Sequence, residues 1–112
     1  MAVTVSTLIE AKTATNSTTT QYTSTGLKTI IDKFTVSHNN GSGSPAYINV
    51  SLVPSGGTAD GTNVIMYKLL QPQETYTCPE LVGQVLSAGD FIATVASVTN
   101  LLVIRASGRL VS

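Results

Sequence analysis

Tryptophan is absent from this chain, cysteine and histidine occur once each, and charged residues make up only 11% of it. Each shortage closes a class of explanation. A lone Cys78 forbids an intrachain disulfide, so the fold must rest on packing. One Cys and one His fall short of the four Cys, His or carboxylate ligands of a usual zinc site. The only imidazole, His38, precedes Asn39-Asn40-Gly41, where an exposed turn-flanking role is expected. Without a base beside it, Cys78 reads as a buried, inert thiol. No apolar run approaches the roughly 18 residues that span a membrane. The first residues lack a basic region followed by an apolar run, so no secretory signal is expected. Synthesis in a reducing cytoplasm suits such a chain.

Charge is scarce and balanced. Six basic and six acidic residues cancel, and the isoelectric point is near 6.5. The charged fraction lies well below the roughly 25% of ordinary soluble proteins. Nucleic-acid binding wants a basic stripe that displaces counterions, and none is present. A polybasic signal for an anionic membrane is missing as well. A neutral, charge-poor surface is poorly protected against association. We read it as a surface largely covered by partners.

The residues that would carry catalysis are equally thin. Asp60 in the TADGTN run superficially suggests calcium, but the repeated acids of an EF-hand loop, ending in Glu, are absent. Glu74 and Glu80 are candidate paired carboxylates for glycosidic cleavage only because acids are few. Glu80, following Pro79, suits the first turn of a helix. Neither Gly41-Ser42-Gly43 nor Gly56-Gly57 matches a phosphate-binding loop. Ser55 and Ser107 lie beside glycines without forming a nucleophile elbow. The expectation is a protein that is not an enzyme and holds no metal or cofactor.

What is present is β-structure. With 112 residues, 42% of them hydrophobic, and a mean hydropathy of +0.25, the chain can build one domain around a real core. Residues 28–38 alternate, with Ile30, Phe34 and Val36 expected on one face and Ile31, Lys33, Thr35 and Ser37 on the other. Asp32 breaks that alternation, which calls for a bulge or a satisfied carboxylate. His38 to Pro45 is turn chemistry. Residues 46–53 follow, with Ala46, Ile48, Val50 and Leu52 inward, so these two runs are expected to form a hairpin. Residues 63–70 are apolar on both sides, as in a central or covered strand. Pro79 to Leu86 reads as one short helical turn crossing between sheets. Short strands over 91–97 and 101–107 close the domain. The pattern predicts an all-β, antiparallel β-sandwich or barrel.

Residues 1–25 are rich in Thr and Ser, and Leu8-Ile9 is their only strongly apolar pair. They are expected to form an N-terminal arm or edge strand that leaves the core, with 26–112 as the sandwich domain. Among the aromatics, Tyr47 on the polar face of its strand is the best exposed anchor for an interface. Arg105 and Arg109 flank the closing turn and are candidates for a salt link to a partner.

Four runs carry a resemblance: TYTCPELVGQVL-x-AGD (Thr75 to Asp90), IRASGR (Ile104 to Arg109), VPSGGTA (Val53 to Ala59) and TIIDKF (Thr29 to Phe34). Through them the chain resembles small virion-associated proteins of tailed bacteriophages over roughly Gly26 to Ser112. The resemblance implies a free-standing capsid decoration, or cement, protein with a jelly-roll-like β-sandwich. A neck, tail or host-surface-binding component is the alternative. The implied partner is the major capsid protein, bound on the outside of the shell by one copy or a small homo-oligomer. In that reading the arm adds a strand to a partner's sheet, with Leu8, Ile9 and Tyr22 as anchors. Deleting residues 2–20 is then expected to abolish capsid binding and leave the domain folded.

Overall fold

A computed structural model describes residues 2–39 and 43–112 of the chain. Among them are nine strands and no helix: β1 (Val3–Thr13), β2 (Thr19–Thr23), β3 (Lys28–His38), β4 (Ala46–Val53), β5 (Val64–Leu70), β6 (Thr75–Tyr76), β7 (Val85–Leu86), β8 (Phe91–Ala96) and β9 (Leu102–Val111). The first sheet runs β1-β9-β3-β6, with β7 also paired to β3, and the second runs β2-β8-β4-β5. All pairings are antiparallel. The sheets enclose one core built from Ile31, Phe34, Val36, Ile48, Val50, Met66, Leu81, Ile92 and Ile104, among others. The fold is an antiparallel β-sandwich, as the patterning predicts.

Strand β3 explains how Asp32 is accommodated. Its register against β9 shifts between Ile31 and Lys33, which marks a bulge at Asp32. An extra residue reverses the phase of the pleat. Thr29 and Ile31 therefore face inward before the bulge, and Phe34, Val36 and His38 face inward after it. Ile31, not Ile30, belongs to the core. Asp32 is directed to the surface, where Arg109 Nε lies 3.1 and 3.0 Å from its two carboxylate oxygens and Nη2 donates at 2.9 Å. The guanidinium–carboxylate geometry is bidentate, but both side chains remain well exposed. Exposed pairs contribute little to stability, so Arg109→Ala is expected to leave the thermal midpoint nearly unchanged.

The expected hairpin between 28–38 and 46–53 does not form. Both edges of β3 are occupied, by β9 on one side and β6 and β7 on the other, while β4 lies in the opposite sheet between β8 and β5. Each strand has a strongly apolar face, and the core is satisfied when those faces oppose one another across the sandwich. Long-range pairing thus overrides the local turn signal, whose residues 40–42 lie outside the described residues. The hairpin in this region is β4–β5, across the 54–63 loop. His38 is corrected too: it is only 3% exposed, and its Nε2 donates to the Ser44 carbonyl oxygen at 2.9 Å. Its parity with Phe34 and Val36 turns it inward.

The N-terminal segment is part of the sandwich. β1 pairs with β9 from Val3 to Thr13, and β2 pairs with β8, so they are the edge strands of the two sheets. Register shifts in β1 between Thr7 and Ile9 let two successive residues, Leu8 (7% exposed) and Ile9 (2%), enter the core. Ala14 joins them. Deleting residues 2–20 would strip these groups from the interior, so the truncated chain is not expected to fold as a separate domain.

The segment after β6 makes successive turns and returns to the same edge of β3, with no helical crossing. Leu81 N donates to the Cys78 carbonyl at 3.0 Å, and Gln84 N to that of Leu81 at 3.2 Å. Gly83, at φ +86°, supplies the left-handed step that ends them. Cys78 is fully buried here. Burial first, and then the nearby Glu80 charge, push its thiol up from 9.0 to about 12. Iodoacetamide at neutral pH is therefore expected to spare the native protein and label it after unfolding in urea, as read by mass spectrometry. Below about pH 9 both states keep the proton and the thiol's contribution is intact. Above that, the unfolded thiol ionises while the folded one resists, so stability falls as pH rises toward about 12.

Candidate functional site

The six side chains expected to meet partners are not brought together. Leu8 and Ile9 are in the core and offer nothing to a partner. Tyr22 is half-buried, its hydroxyl 3.0 Å from Thr29 Oγ1, and Ser24 Oγ lies 2.8 Å from the same atom. This polar knot ties β2 of one sheet to β3 of the other, so Tyr22 is an internal brace. Arg105 and Arg109 are exposed on the outer face of the first sheet, Arg109 bound to Asp32. Tyr47 is exposed on the outer face of the second. The sandwich therefore separates the arginines from the tyrosine.

Sheet register places apolar residues around Arg109. Val5, Arg109, Ile30 and Val85 are successive cross-strand partners on β1, β9, β3 and β7, with Val3 and Val111 paired beside them. Val5 is 80% exposed, and Val3, Val82 and Val85 are also exposed. Arg109 thus stands within an apolar row of the first sheet's outer face.

The second sheet also has an uncovered apolar surface. β5 is its edge strand, not a central or covered one. Met66 and Leu70 point into the core, while Ile65, Tyr67 and Leu69 are exposed. Tyr67 (62% exposed) stacks on Tyr47 (40%), with ring centroids 5.2 Å apart and planes 19° from parallel. An apolar run on both faces fits an uncovered edge as well as a covered centre, and that ambiguity concealed Ile65, Tyr67 and Leu69 in the sequence. Scattered exposed apolar residues are ordinary, but contiguous ones mark contact surfaces.

Beside the tyrosines lies a cleft of about 250 Å³. Its floor includes Asn49 and Ser51 of β4 with Ala93 and Val95 of β8, and its walls include Asp60, Gly61 and Thr18. The 54–63 loop is folded into position by its own hydrogen bonds. Thr62 donates to Asp60 Oδ1 through N at 2.8 Å and through Oγ1 at 2.5 Å, and Asn63 Nδ2 donates to the Thr58 carbonyl at 2.9 Å. The two Thr62 bonds hold the Asp60 carboxyl below its ordinary range. Asp90 anchors the loop from below, accepting from Ser55 N at 3.0 Å and Ser87 N at 2.9 Å. On the cleft floor, Asn49 Oδ1 is buried and accepts no hydrogen bond. The sequence gives no sign of this, because an outward Asn on a strand looks like ordinary surface.

The remaining reactive groups are dispersed. The His38 imidazole is held in the interior, the Cys78 thiol is kept protonated, and among the described residues Asp60 is the only carboxylate lining the cleft. Among the described residues no three His, Cys, Asp or Glu side chains cluster as metal ligands would. No family model, curated protein or solved structure matches the chain.

Proposed function

We propose that this chain is a structural virion protein that binds the outside of a bacteriophage capsid and bridges neighbouring major capsid protein subunits. One observation carries the reading: the sandwich has uncovered apolar residues on both outer faces, around Val5 and Val85 on one side and Ile65, Tyr67 and Leu69 on the other. A molecule with contact surfaces on opposite sides can hold two neighbours at once. Burial of apolar area is worth roughly 25 cal/mol per Å², so each face supplies a modest contact. Many copies on one linked shell turn such contacts into firm attachment. The chain's zero net charge sets little long-range repulsion between crowded copies, whether they bind singly or as a small homo-oligomer.

The strand order supports the jelly-roll form of this reading. Sheets β1-β9-β3-β6 and β2-β8-β4-β5 face each other, and all but two of the connections, β4–β5 and β6–β7, pass from one sheet to the other. Double-sheet jelly rolls occur in viral capsid and lectin domains alike. β1, an edge strand already within the fold, takes over the docking role first assigned to a free arm, since its outer edge is open to strand addition.

Co-sedimentation with capsid shells lacking this protein, compared with isolated tails, tests the proposal. Saturable binding to shells that raises their thermal resistance is the expected result. Binding to tails or necks alone would overturn the capsid assignment in favour of an attachment component.

A further inference from the structure

We propose that the cleft on the outer face of the second sheet is a binding site for a neutral, hydroxyl-rich ligand of the saccharide class. The inference goes beyond shell binding and does not depend on it. Its starting point is Asn49, whose buried Oδ1 accepts no hydrogen bond. Leaving such a group unsatisfied is unfavourable, and native proteins tolerate few of them. What Asn49 lacks is a donor. Its terminal torsion is soft, so a small rotation of the amide presents the carbonyl to a hydroxyl entering the cleft.

The other polar groups converge on the same space. Ser51 shares the floor, and Thr18 and Asp60 stand in the walls. Asp60 Oδ1 is taken by Thr62, while Oδ2 accepts no bond among the described residues. Two side chains that carry acceptor oxygens and two that carry hydroxyls line one cavity, which suits a ligand with several O–H groups. Charge narrows the class. Among the described residues no Lys, Arg or His lines the cleft, and Asp60 is held ionised, so a phosphate or carboxylate would meet repulsion without a counter-charge. A hard cation wants more oxygen ligands than one carboxylate and its neighbours provide.

The aromatic pair completes the match. Tyr67 is the cross-strand partner of Asn49, and Tyr47 lies two residues before it on β4, about 7 Å along the strand. Their stacked rings neighbour Asn49 along β4 and across to β5, next to the residues that line the cleft. A sugar offers both chemistries, hydroxyls at its edge and C–H groups on its face. At about 250 Å³ the cleft is slightly below the usual range of ligand pockets, about 300–1,000 Å³. It therefore suits one sugar ring, with the rest of a chain running over the tyrosines.

The test is a titration of the ¹⁵N-labelled full chain with glucose, galactose, N-acetylglucosamine and short oligomers of each, with calcium chloride and inorganic phosphate as separate arms. At least one sugar is expected to shift the resonances of Asn49, Ser51 and Asp60 saturably, with a millimolar Kd. Asn49→Ala should weaken that binding about tenfold, the loss of one hydrogen bond. Tyr67→Ala, an exposed substitution that leaves the core untouched, should weaken oligomer binding more than monosaccharide binding. The proposal is overturned by the absence of a saturable shift with every sugar. It is equally overturned by shifts that persist unchanged in both variants, or by a cleft that responds only to calcium or phosphate.

Discussion

Replacing Phe34 with alanine is expected to remove about 4 kcal/mol of stability, the middle of the range for a buried aromatic truncated to a methyl group. Phe34 is completely buried and among the largest side chains in the interior. It is the first inward residue after the bulge in β3, a strand held by β9 along one edge and by β7 before Phe34 and β6 after it on the other, which limits collapse of the backbone into the space left behind. A domain of this size is stable by about 5–15 kcal/mol in total, and the variant should be close to unfolding at physiological temperature. Urea denaturation of Phe34→Ala beside Phe34→Leu measures the effect, the leucine variant keeping most of the buried area. A loss below about 1 kcal/mol for the alanine variant would mean that β3 does not pack as described.

The second large effect is expected at Gly108, in the middle of β9. A Cβ there would collide with the Ile30 carbonyl and come within 3.0 Å of Leu8 Cδ1. The carbonyl belongs to β3 and cannot withdraw without disturbing the β3–β9 ladder, whereas the Leu8 side chain need shift only slightly. Overpacking of this kind costs typically 1–3 kcal/mol and sometimes more. We expect Gly108→Ala to lie at the upper end, about 3 kcal/mol, lowering the Tm by more than about 10 °C. Gly26→Ala is the contrast: φ is +72° but the space is open, so its cost is the backbone term alone, about 1–2 kcal/mol. Equal losses in the two variants would contradict the close approach of β3 and β9.

These positions show what the sequence made legible. The alternation in 28–38, interrupted at Asp32, announced a strand and left a bulge or a satisfied carboxylate as alternatives; the structure has both, a register shift at Asp32 and its pairing with Arg109. Cys78 read correctly as buried because an unpaired cysteine behaves as a small apolar side chain. The expected hairpin between β3 and β4 failed because turn residues specify a reversal and not which sheet receives the next strand. That choice was made by the apolar faces and by β9, a strand more than 60 residues away in the chain. Leu8 and Ile9 looked too isolated to bury, since the β9 surface that receives them is even more distant in the chain. Tyr47 could be placed outward from strand parity alone. Its stacking on Tyr67 and the cleft around Asn49 depended on the β4–β5 register and on how the 54–63 loop folds back, neither of which is written locally.

Bridging is best tested by disabling one face at a time. Val5→Asp on the first sheet and Leu69→Asp on the second both change exposed residues, so the sandwich itself should survive. Each variant is then added to capsid shells, with bound protein and the temperature of shell disruption measured together. Bridging predicts that each variant still binds through its intact face, more weakly, and that neither raises the disruption temperature. If one variant binds and protects the shell like the unaltered protein while the other does neither, the protein acts through a single face and does not bridge.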